Sequence, residues 1–384
     1  MRLRRSVTSC AKVTLCLLNL WVLCVILVVA LGHWRVFDAD LSLDRYDNSH
    51  LVVMRELNQE PGETQSEKGL SLNNKSGAVH ENPIKMVPPP PELSPAQREV
   101  AERVSTMQQW CRKLRPRSVD ISTVPAHRLS AIMVDRQRRL LFCQIPGVAL
   151  NDWRRIFIYL TGKVNVTSHQ KISAYDAHSK YGHLIKKLSD FKPSERKAIL
   201  EDSLKVVFVR DPLERLVSNY QNKFVAKYSK YFHEAFGRKI IQKYRRNATA
   251  KALKEGSDVR FNEFVRFVLD TEHDSDAPLN EHWERYYKQC QPCLLNYDFI
   301  GKFETLVDDT REALSRAGVL DKLQAPYVAD TFRNSEKTLK SLYQTVSASD
   351  LKKLWKIYYP DYNLFSYPYP EVLHNLLQQS FSDY

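Results

Sequence analysis

An uninterrupted apolar run lies near the start of the chain. From Val13 to Gly32 no residue carries a charge, and leucine, valine and cysteine are frequent. About 20 apolar residues in a helix cross the hydrocarbon core of a bilayer. The apolar region of a cleaved signal peptide is shorter, roughly 7–15 residues. The run therefore predicts an uncleaved signal-anchor at residues 13–32.

The charges on either side of this run predict its orientation. Basic residues precede it, at Arg2, Arg4, Arg5 and Lys12. Acidic residues follow it, at Asp38, Asp40 and Asp44. Positively charged flanks stay in the cytosol, so residues 1–12 are predicted to be a cytoplasmic tail. The remainder would be luminal, as in the single-pass type II transferases of Golgi membranes.

The next segment, residues 33–93, shows no lasting apolar periodicity. It is rich in asparagine, glutamate, serine and proline, and it ends in Val87-Pro88-Pro89-Pro90-Pro91. Consecutive prolines favour an extended polyproline spacer. We therefore expect a luminal stem that holds a folded domain away from the membrane.

Apolar positions at helical and strand spacing return at Ser94. Ser94 suits a helix N-cap, and Pro95 suits the first helical position. Strands are then predicted at 139–145, 204–210 and 297–302, and helices at 152–160, 213–224, 261–269, 310–317 and 350–358. This alternation indicates an α/β domain with a parallel sheet over residues 94–384. Ligands of such sheets bind beyond the carboxyl ends of the strands.

The charge balance predicts an anionic partner. The chain has 57 Lys+Arg against 44 Asp+Glu, a formal net charge of +13. A luminal location disfavours nucleic acid and favours an acidic glycan. The basic run 239–246 could contribute to glycan binding, although a solvated helix face would have the same composition.

The cysteines and sequons fit an oxidising lumen. Four cysteines follow the stem, at Cys111, Cys143, Cys290 and Cys293. A single Cys-x-x-Cys is a weak zinc motif, so disulfides are the favoured interpretation, with three pairings open. Possible glycosylation acceptors are Asn74, Asn165 and Asn247.

Two strand-to-helix junctions carry candidate chemistry. In LKVVFVRDPLERLVSNYQNKF, Arg210 ends the strand and Ser218 lies about two turns into the next helix. A guanidinium and a hydroxyl so placed can converge on one phosphate. A structural alternative pairs Arg210 with Asp211 or Glu214 and leaves Ser218 facing solvent.

The other junction, LLFCQIPGVALNDWRRIFIYLTG, runs from a strand through a Pro-Gly turn into a helix. A helix N-terminus attracts anions, and Arg154 and Arg155 add positive charge to its first turn. The alternative is an ordinary corner with two solvated arginines.

Together these junctions resemble the phosphate-binding elements of Golgi carbohydrate sulfotransferases of the HNK-1/chondroitin 4-O-sulfotransferase family. The likeness extends from Trp110 to Tyr369 and includes FVRDPLERLVSNYQNKF, NEHW, CQPCLLNYDFIGKFETLVDD and YYPDYNLFSYP. It implies a P-loop-like α/β fold with a central parallel sheet. It also implies 3′-phosphoadenylyl sulfate (PAPS) as donor, no metal, and an acceptor hydroxyl on a glycan. The most similar branch sulfates the 4-hydroxyl of N-acetylgalactosamine (GalNAc) in chondroitin, dermatan or glycoprotein glycans.

The resemblance also implies roles for individual residues. Arg210 and Ser218 match contacts to the 3′-phosphate, and the turn from Pro146 to Trp153 matches the 5′-phosphosulfate loop. His178 is the first candidate for the catalytic base and His282 the second. The predicted donor-binding residues are Pro146, Gly147, Val148, Ala149, Leu150, Asn151, Asp152, Arg154, Arg210, Asp211, Pro212, Leu213, Glu214, Arg215, Leu216, Val217 and Ser218.

The 5′ loop departs from the family pattern, which is approximately Pro-Lys-x-x-x-Ser/Thr-Asn-Trp-Lys. This chain has Gly147 at the lysine, Asn151 at the hydroxyl residue and Asp152 at the asparagine. Loss of one aimed donor typically lowers the rate by about 10²–10³. A catalytically weakened or inactive protein that keeps the fold and binds glycan or adenosine 3′,5′-bisphosphate (PAP) is therefore one alternative.

A second alternative is a metal-dependent Golgi glycosyltransferase. Asp38-Ala39-Asp40 and Asp274-Ser275-Asp276 both have the Asp-x-Asp spacing that such enzymes use. Paired carboxylates suit a hard divalent cation, so metal dependence would distinguish this alternative.

Overall fold

The computed structural model describes residues 94–114, 119–226, 230–273, 279–323 and 335–382. The predicted cytoplasmic tail, signal-anchor and stem lie outside these residues, as does Asn74. Within the described ranges, no helix combines the length and the apolar character needed to cross a membrane.

A five-stranded sheet lies at the centre of the described domain. Its strands are β1 (Ile132–Asp135), β2 (Leu140–Cys143), β3 (Lys186–Lys187), β4 (Leu204–Val209) and β5 (Phe299–Lys302). The strand order is β3-β1-β2-β4-β5. The strands β2, β4 and β5 are parallel, whereas β1 pairs antiparallel with both β2 and β3.

The predicted parallel sheet is therefore confirmed for three strands, but the antiparallel edge was missed. The strand β1 is only four residues long, and it joins β2 through a tight turn in which Arg139 has φ 51. Antiparallel strands need no helical crossover. A short hairpin of this kind leaves little periodicity in the sequence.

The helices extend or shift the predicted ones. They are α1 (Pro95–Leu114), α2 (Leu150–Leu160), α3 (Ala174–His178), α4 (Pro193–Glu201), α5 (Pro212–Tyr220), α6 (Lys230–Phe232), α7 (Arg238–Tyr244), α8 (Ala250–Glu255), α9 (Phe261–His273), α10 (Tyr286–Gln289), α11 (Pro292–Leu295), α12 (Leu306–Arg316), α13 (Glu336–Tyr343), α14 (Ala348–Leu364) and α15 (Glu371–Ser382). The helix predicted at 213–224 ends earlier than expected. After Tyr220 it continues as a π-helical turn, Gln221–Val225.

Apolar side chains form two buried clusters. The first surrounds the sheet, where the rings of Phe142 and Trp153 stack with centroids 4.3 Å apart. The second joins α5, α9, α13 and α14 around Trp283 and Phe264, whose ring centroids are 5.4 Å apart. The helix α5 follows β4 directly and contributes apolar residues to the second cluster, so it connects the sheet to the helical part.

The cysteines form two disulfides, as predicted. Cys111 pairs with Cys293, and Cys143 pairs with Cys290. The two cysteines of the Cys-x-x-Cys motif therefore bond to different partners. The second bridge ties the end of β2 to the residue that follows α10.

A buried carboxylate anchors α14 against the start of α10. Asp361 has no solvent exposure, and its two oxygens accept the backbone N–H groups of Tyr286 at 2.7 Å and Tyr287 at 2.9 Å. The Tyr286 hydroxyl then donates to the carbonyl of Arg210 at 2.8 Å. These hydrogen bonds connect α14, through Tyr286, to the end of β4.

We expect Asp361→Ala to lower the free energy of unfolding, because it leaves two buried N–H groups without acceptors. Such a loss costs about 1–3 kcal/mol for each group. Denaturant unfolding measures it. The matched control is Asp308→Ala, since Asp308 is 76% exposed beside Arg311. Equal effects of the two substitutions would contradict this role for Asp361.

Candidate active site

The structure brings the two predicted junctions to one edge of the sheet. The strands β2 and β4 are parallel neighbours, with Phe142 opposite Val206. The turn at 146–149 follows β2, and Arg210 follows β4. Both junctions therefore lie beyond the carboxyl ends of adjacent strands, where ligands of α/β domains bind.

The turn after β2 requires a glycine. Gly147 has φ +84, and a Cβ there would lie 2.9 Å from Nδ2 of Asn219. The Asn219 amide donates to the carbonyl of His282 at 2.7 Å and to that of Pro146 at 3.4 Å. The absence of a side chain at 147 thus makes room for the amide that joins the loop to the segment carrying His282.

Arg215 strengthens the same connection. It is 2% exposed, and its guanidinium donates to the carbonyls of Pro146 at 3.0 Å, Glu284 at 2.7 Å and Glu281 at 2.8 Å. Arg215 and Asn219 are four residues apart, so they share one face of α5. That face holds the 5′ loop and residues 281–284 together.

Arg154 is occupied by protein groups. It is buried, its Nη1 donates to the side chain of Gln144, and its Nε and Nη2 donate to the carbonyl of Ala177 at 3.3 and 3.0 Å. Burial lowers its pKa. Ala177 precedes His178, so Arg154 fixes the end of α3 and with it the position of the histidine.

Arg155 is held in a similar way. Its Nε donates to the carbonyl of Ile172 at 2.8 Å, and its Nη1 pairs with the carboxylate of Asp152 at 2.8 Å. Burial raises the pKa of Asp152, while Arg155 opposes that rise. The carboxylate introduced at position 152 is therefore neutralised locally.

His178 contacts the first turn of α2, which belongs to the stretch 146–153 that was predicted to be the 5′ loop. Its Nε2 lies 2.8 Å from Oδ1 of Asn151. An amide oxygen only accepts, so Nε2 carries the proton and Nδ1 has the free lone pair. Burial lowers the pKa of His178, and the charges of Arg154, Lys223 and Arg155 lower it further. The ring is therefore neutral at neutral pH.

His282 is also a neutral imidazole, and its hydrogen bond shows which ring nitrogen carries the proton. Its Nδ1 lies 2.8 Å from Oδ1 of Asn280, which also accepts the backbone N–H of His282 at 3.1 Å. The lone pair is therefore on Nε2. Burial lowers the pKa of His282 to about 3, and Lys223, Arg215 and His178 contribute to the shift. The structure thus brings the two predicted histidines near each other.

Arg210 and Ser218 occupy the predicted strand end and helix. Arg210 is 1% exposed, its guanidinium is 3.3 Å from the carboxylate of Glu214, and it stacks 4.2 Å from the ring centroid of Phe303. The predicted structural pairing with Glu214 is thus present. Ser218 is 7% exposed. Contact of either residue with a phosphate stays a prediction.

The other residues of the predicted donor-binding stretch have fold-forming contacts. Asp211 caps α5 by accepting the N–H groups of Leu213 and Glu214, both at 2.9 Å. The hydroxyl of Tyr362 also donates to this carboxylate. Pro212 is the first residue of α5. Core side chains are Val148, Leu213, Leu216 and Val217.

Sequence reasoning overlooked two polar residues of the site, Asn219 and Lys223. They continue the four-residue spacing that begins at Arg215, and this spacing could have identified them. Lys223 lies in the π-helical turn, and its Nζ is 4.8 Å from the ring centroid of Phe232. That ring is in turn 4.9 Å from the imidazole of His282.

The remaining sequence features do not take part in the contacts described above. Asn165 and Asn247 are exposed, as an acceptor of glycosylation requires. Part of the basic run is paired, since Lys243 is 2.8 Å from Asp270 and Arg245 is 2.7 Å from Glu263. Both Asp-x-Asp sequences lie outside the described residues. Among the residues that the structure describes, no group of three or more metal-ligating side chains occurs.

Comparison with known proteins identifies the family. The model of the sulfotransferase family matches residues 130–368. The chain belongs to this family. It is 37% identical to carbohydrate sulfotransferase 11 of Mus musculus over 245 residues, which cover 64% of this chain and 69% of that protein. It is 36% identical to carbohydrate sulfotransferase 9 of Homo sapiens over 273 residues, which cover 70% and 60%.

Carbohydrate sulfotransferase 14 of Danio rerio is 34% identical over 247 residues, which cover 64% of each protein. No solved structure matches the chain significantly. The predicted assignment to the PAPS-dependent carbohydrate sulfotransferases is confirmed. This favours sulfuryl transfer to a glycan over the glycosyl transfer considered as an alternative.

We expect Gly147→Ala to lower sulfate transfer by about 10–10²-fold, because the new Cβ displaces Asn219 and shifts the 5′ loop. Gly147→Lys carries the same Cβ, so it should lower activity despite its added charge. Initial rates at saturating donor measure the effect.

The control for this substitution is Gly162→Ala. Gly162 also has a positive φ, +67, but a Cβ added there would meet no atom within 4 Å. The Gly162→Ala substitution therefore introduces backbone strain from the positive φ, but no steric contact between the new Cβ and another atom. A rate for Gly147→Lys above that of the unmodified protein would show that the loop accommodates a lysine.

Proposed function

We propose that this protein transfers the sulfuryl group of PAPS to the 4-hydroxyl of a GalNAc residue in chondroitin, dermatan or a glycoprotein glycan. The observation that carries the proposal is the contact between His178 and Asn151 at the carboxyl edge of the sheet. It puts a neutral imidazole beside the loop that corresponds to the 5′-phosphosulfate loop. The GalNAc acceptor rests on the similarity of the sequence blocks, and the Golgi location rests on the predicted anchor.

Two parts of this edge would bind the donor. The helix α2 begins directly after the turn at 146–149, and a helix start presents backbone N–H groups and a positive dipole to an anion. Gly147 has no side chain to keep the 5′-phosphosulfate from this backbone. Arg210 and Ser218, at the end of β4 and in α5, would bind the 3′-phosphate.

The chemistry proposed is a direct in-line transfer. The Nδ1 atom of His178 accepts the proton of the sugar hydroxyl, and the hydroxyl oxygen bonds to sulfur. The bond from sulfur to the bridging oxygen of the 5′-phosphate breaks, and PAP leaves with the electron pair. A positioned base contributes about 10²–10⁴ to such a rate. His282 could accept the proton through Nε2 instead.

The inactive alternative has a specific observation in its favour. The loop has Gly147 in place of a lysine, and Arg154 and Arg155 are bonded to protein groups. A protein with this loop could bind PAP and glycan without turnover. A direct assay distinguishes the two functions.

We expect the full-length protein in detergent to transfer labelled sulfate from PAPS to at least one of desulfated chondroitin, desulfated dermatan and a GalNAc-terminated glycan. Transfer should persist in a metal chelator, since the start of α2 and Arg210 supply positive charge to the donor without a metal. PAP binding without transfer to any of these acceptors would support the inactive alternative. Chelator-sensitive transfer would contradict the proposed mechanism.

We expect His178→Ala to lower kcat by about 10²–10⁴ with little change in the Kd for PAP, because a general base acts on the acceptor. Arg210→Ala should instead raise the Kd for PAP. His282→Ala, measured in parallel, assigns the proton acceptor. Unchanged kcat in His178→Ala would exclude His178 as the base.

The pH profile tests the same assignment. The base must be neutral, and the pKa of His178 lies below its ordinary 6.5 because of burial and nearby cations. The rate should therefore persist as pH falls through 6.5 and decline only at lower pH. Measurement of kcat/KM against pH checks this, and an acid limb above 6.5 would contradict it.

A further inference from the structure

Lys223 lies near the segment that carries His282, because its Nζ is 4.8 Å from the ring centroid of Phe232, which contacts His282. It follows Asn219 by four residues, and Asn219 bonds to Pro146 of the loop and to the carbonyl of His282. Its positive charge acts on both histidines. The ring of Phe232 contacts the ring of His282, and the Lys223 ammonium lies over the ring of Phe232. The ammonium is therefore close to the proposed reaction centre.

The backbone around Lys223 is unusual for a helix. A π-helical turn covers Gln221–Val225 directly after α5. Such turns are rare and often occur at functional sites, because the extra residue changes the direction in which side chains point. Here the turn includes the lysine.

Lys223 is a partly desolvated cation with no ion-pair partner among the described residues. It is half-buried, and burial lowers its pKa, whereas Glu281 acts in the opposite direction. Glu281 acts on Lys223 through its charge alone, without a hydrogen bond between the two side chains, and no ion pair found in the described part of the chain includes Lys223. A desolvated ammonium is unfavourable unless an anion approaches it. The ring contact with Phe232 compensates only in part.

Arg154 and Arg155 could approach a bound anion only by breaking their existing hydrogen bonds. Arg154 donates to Gln144 and Ala177, and Arg155 to Asp152 and Ile172. During sulfuryl transfer, negative charge increases on the bridging oxygen as its bond to sulfur breaks. A cation at this point stabilises the transition state more than the bound donor.

We propose that Lys223 binds the sulfuryl end of PAPS and supplies the cation that the 5′ loop lacks at Gly147. This rests on the proposed function. The ammonium stays protonated throughout, donates hydrogen bonds to the sulfuryl and bridging oxygens, and forms no covalent bond. It acts on the donor and not on the glycan.

The test compares Lys223→Met, which removes the charge, with Lys223→Arg, which retains it. For Lys223→Met we expect kcat to fall by about 10²–10³. The Kd for PAPS should rise by about tenfold and that for PAP should stay nearly constant, since PAP has no sulfuryl group and a charged hydrogen bond accounts for a difference of this size. Lys223→Arg should recover part of both losses.

The matched control is Lys254→Met, because Lys254 is exposed at the end of α8. It should leave rate and affinity unchanged. The acid limb of the pH profile gives a further readout. The charges of Arg154, Lys223 and Arg155 lower the pKa of His178, and His178 also interacts electrostatically with His282. Removing one cation should therefore move the pKa of His178 upward toward 6.5 in Lys223→Met.

Three results would overturn the proposal. An equal rise in the Kd values for PAPS and PAP would show a general effect on the fold or on the electrostatic potential of the site. A higher KM for the glycan alone would place Lys223 on the acceptor side. Unchanged kcat would exclude a role in transfer. If the unmodified protein transfers no sulfate, the proposed function fails, and the comparison of PAPS with PAP still decides whether Lys223 binds the sulfuryl end.

Discussion

The candidate site depends on one face of α5, whose polar side chains hold together two segments that are distant in sequence. Arg215 and Asn219 donate to the carbonyls of Pro146, Glu281, His282 and Glu284. Backbone carbonyls buried at the end of a sheet need such donors. Because the same face serves both segments, the loop after β2 and the segment carrying His282 have fixed positions relative to each other.

This arrangement explains the glycine at the start of the 5′ loop. Without a side chain at 147, the amide of Asn219 can approach the loop backbone closely. A lysine at this position would need a different loop path or a displaced Asn219. The loop and α5 are thus mutually adapted, and the glycine at position 147 has a structural reason.

The arginines and the histidines of the site have different electrostatic states. Arg154, Arg155 and Arg215 are bonded to carbonyls or side chains of the protein, so they serve mainly to position the loop and α3. Desolvation and, after it, the charges of nearby cations lower the pKa values of both histidines, so both rings are neutral at neutral pH. A neutral imidazole is able to accept a proton, so Arg154 and Arg155, which position the loop and α3, also contribute to lowering the pKa of the proposed base.

The sequence by itself determined the α/β class, the two strand-to-helix junctions, Arg210 at the end of a strand and the use of cysteines in disulfides. These features follow from periodicity and from residue types that are close in the chain. Even the parallel neighbours β2 and β4 could be anticipated, since a helix-containing segment of sufficient length connects them.

The tertiary structure alone decided the cysteine pairing, the antiparallel β1 and β3, the partners of Arg154 and Arg155, and the contacts of Asn219 and Lys223. Each depends on contacts between residues far apart in sequence, such as Asn219 with His282 across 63 positions. A local pattern predicts which face of a helix is polar, but not which loop it meets. The contacts of the polar face are determined only when the sheet and helices pack together, because buried polar groups must then be hydrogen-bonded.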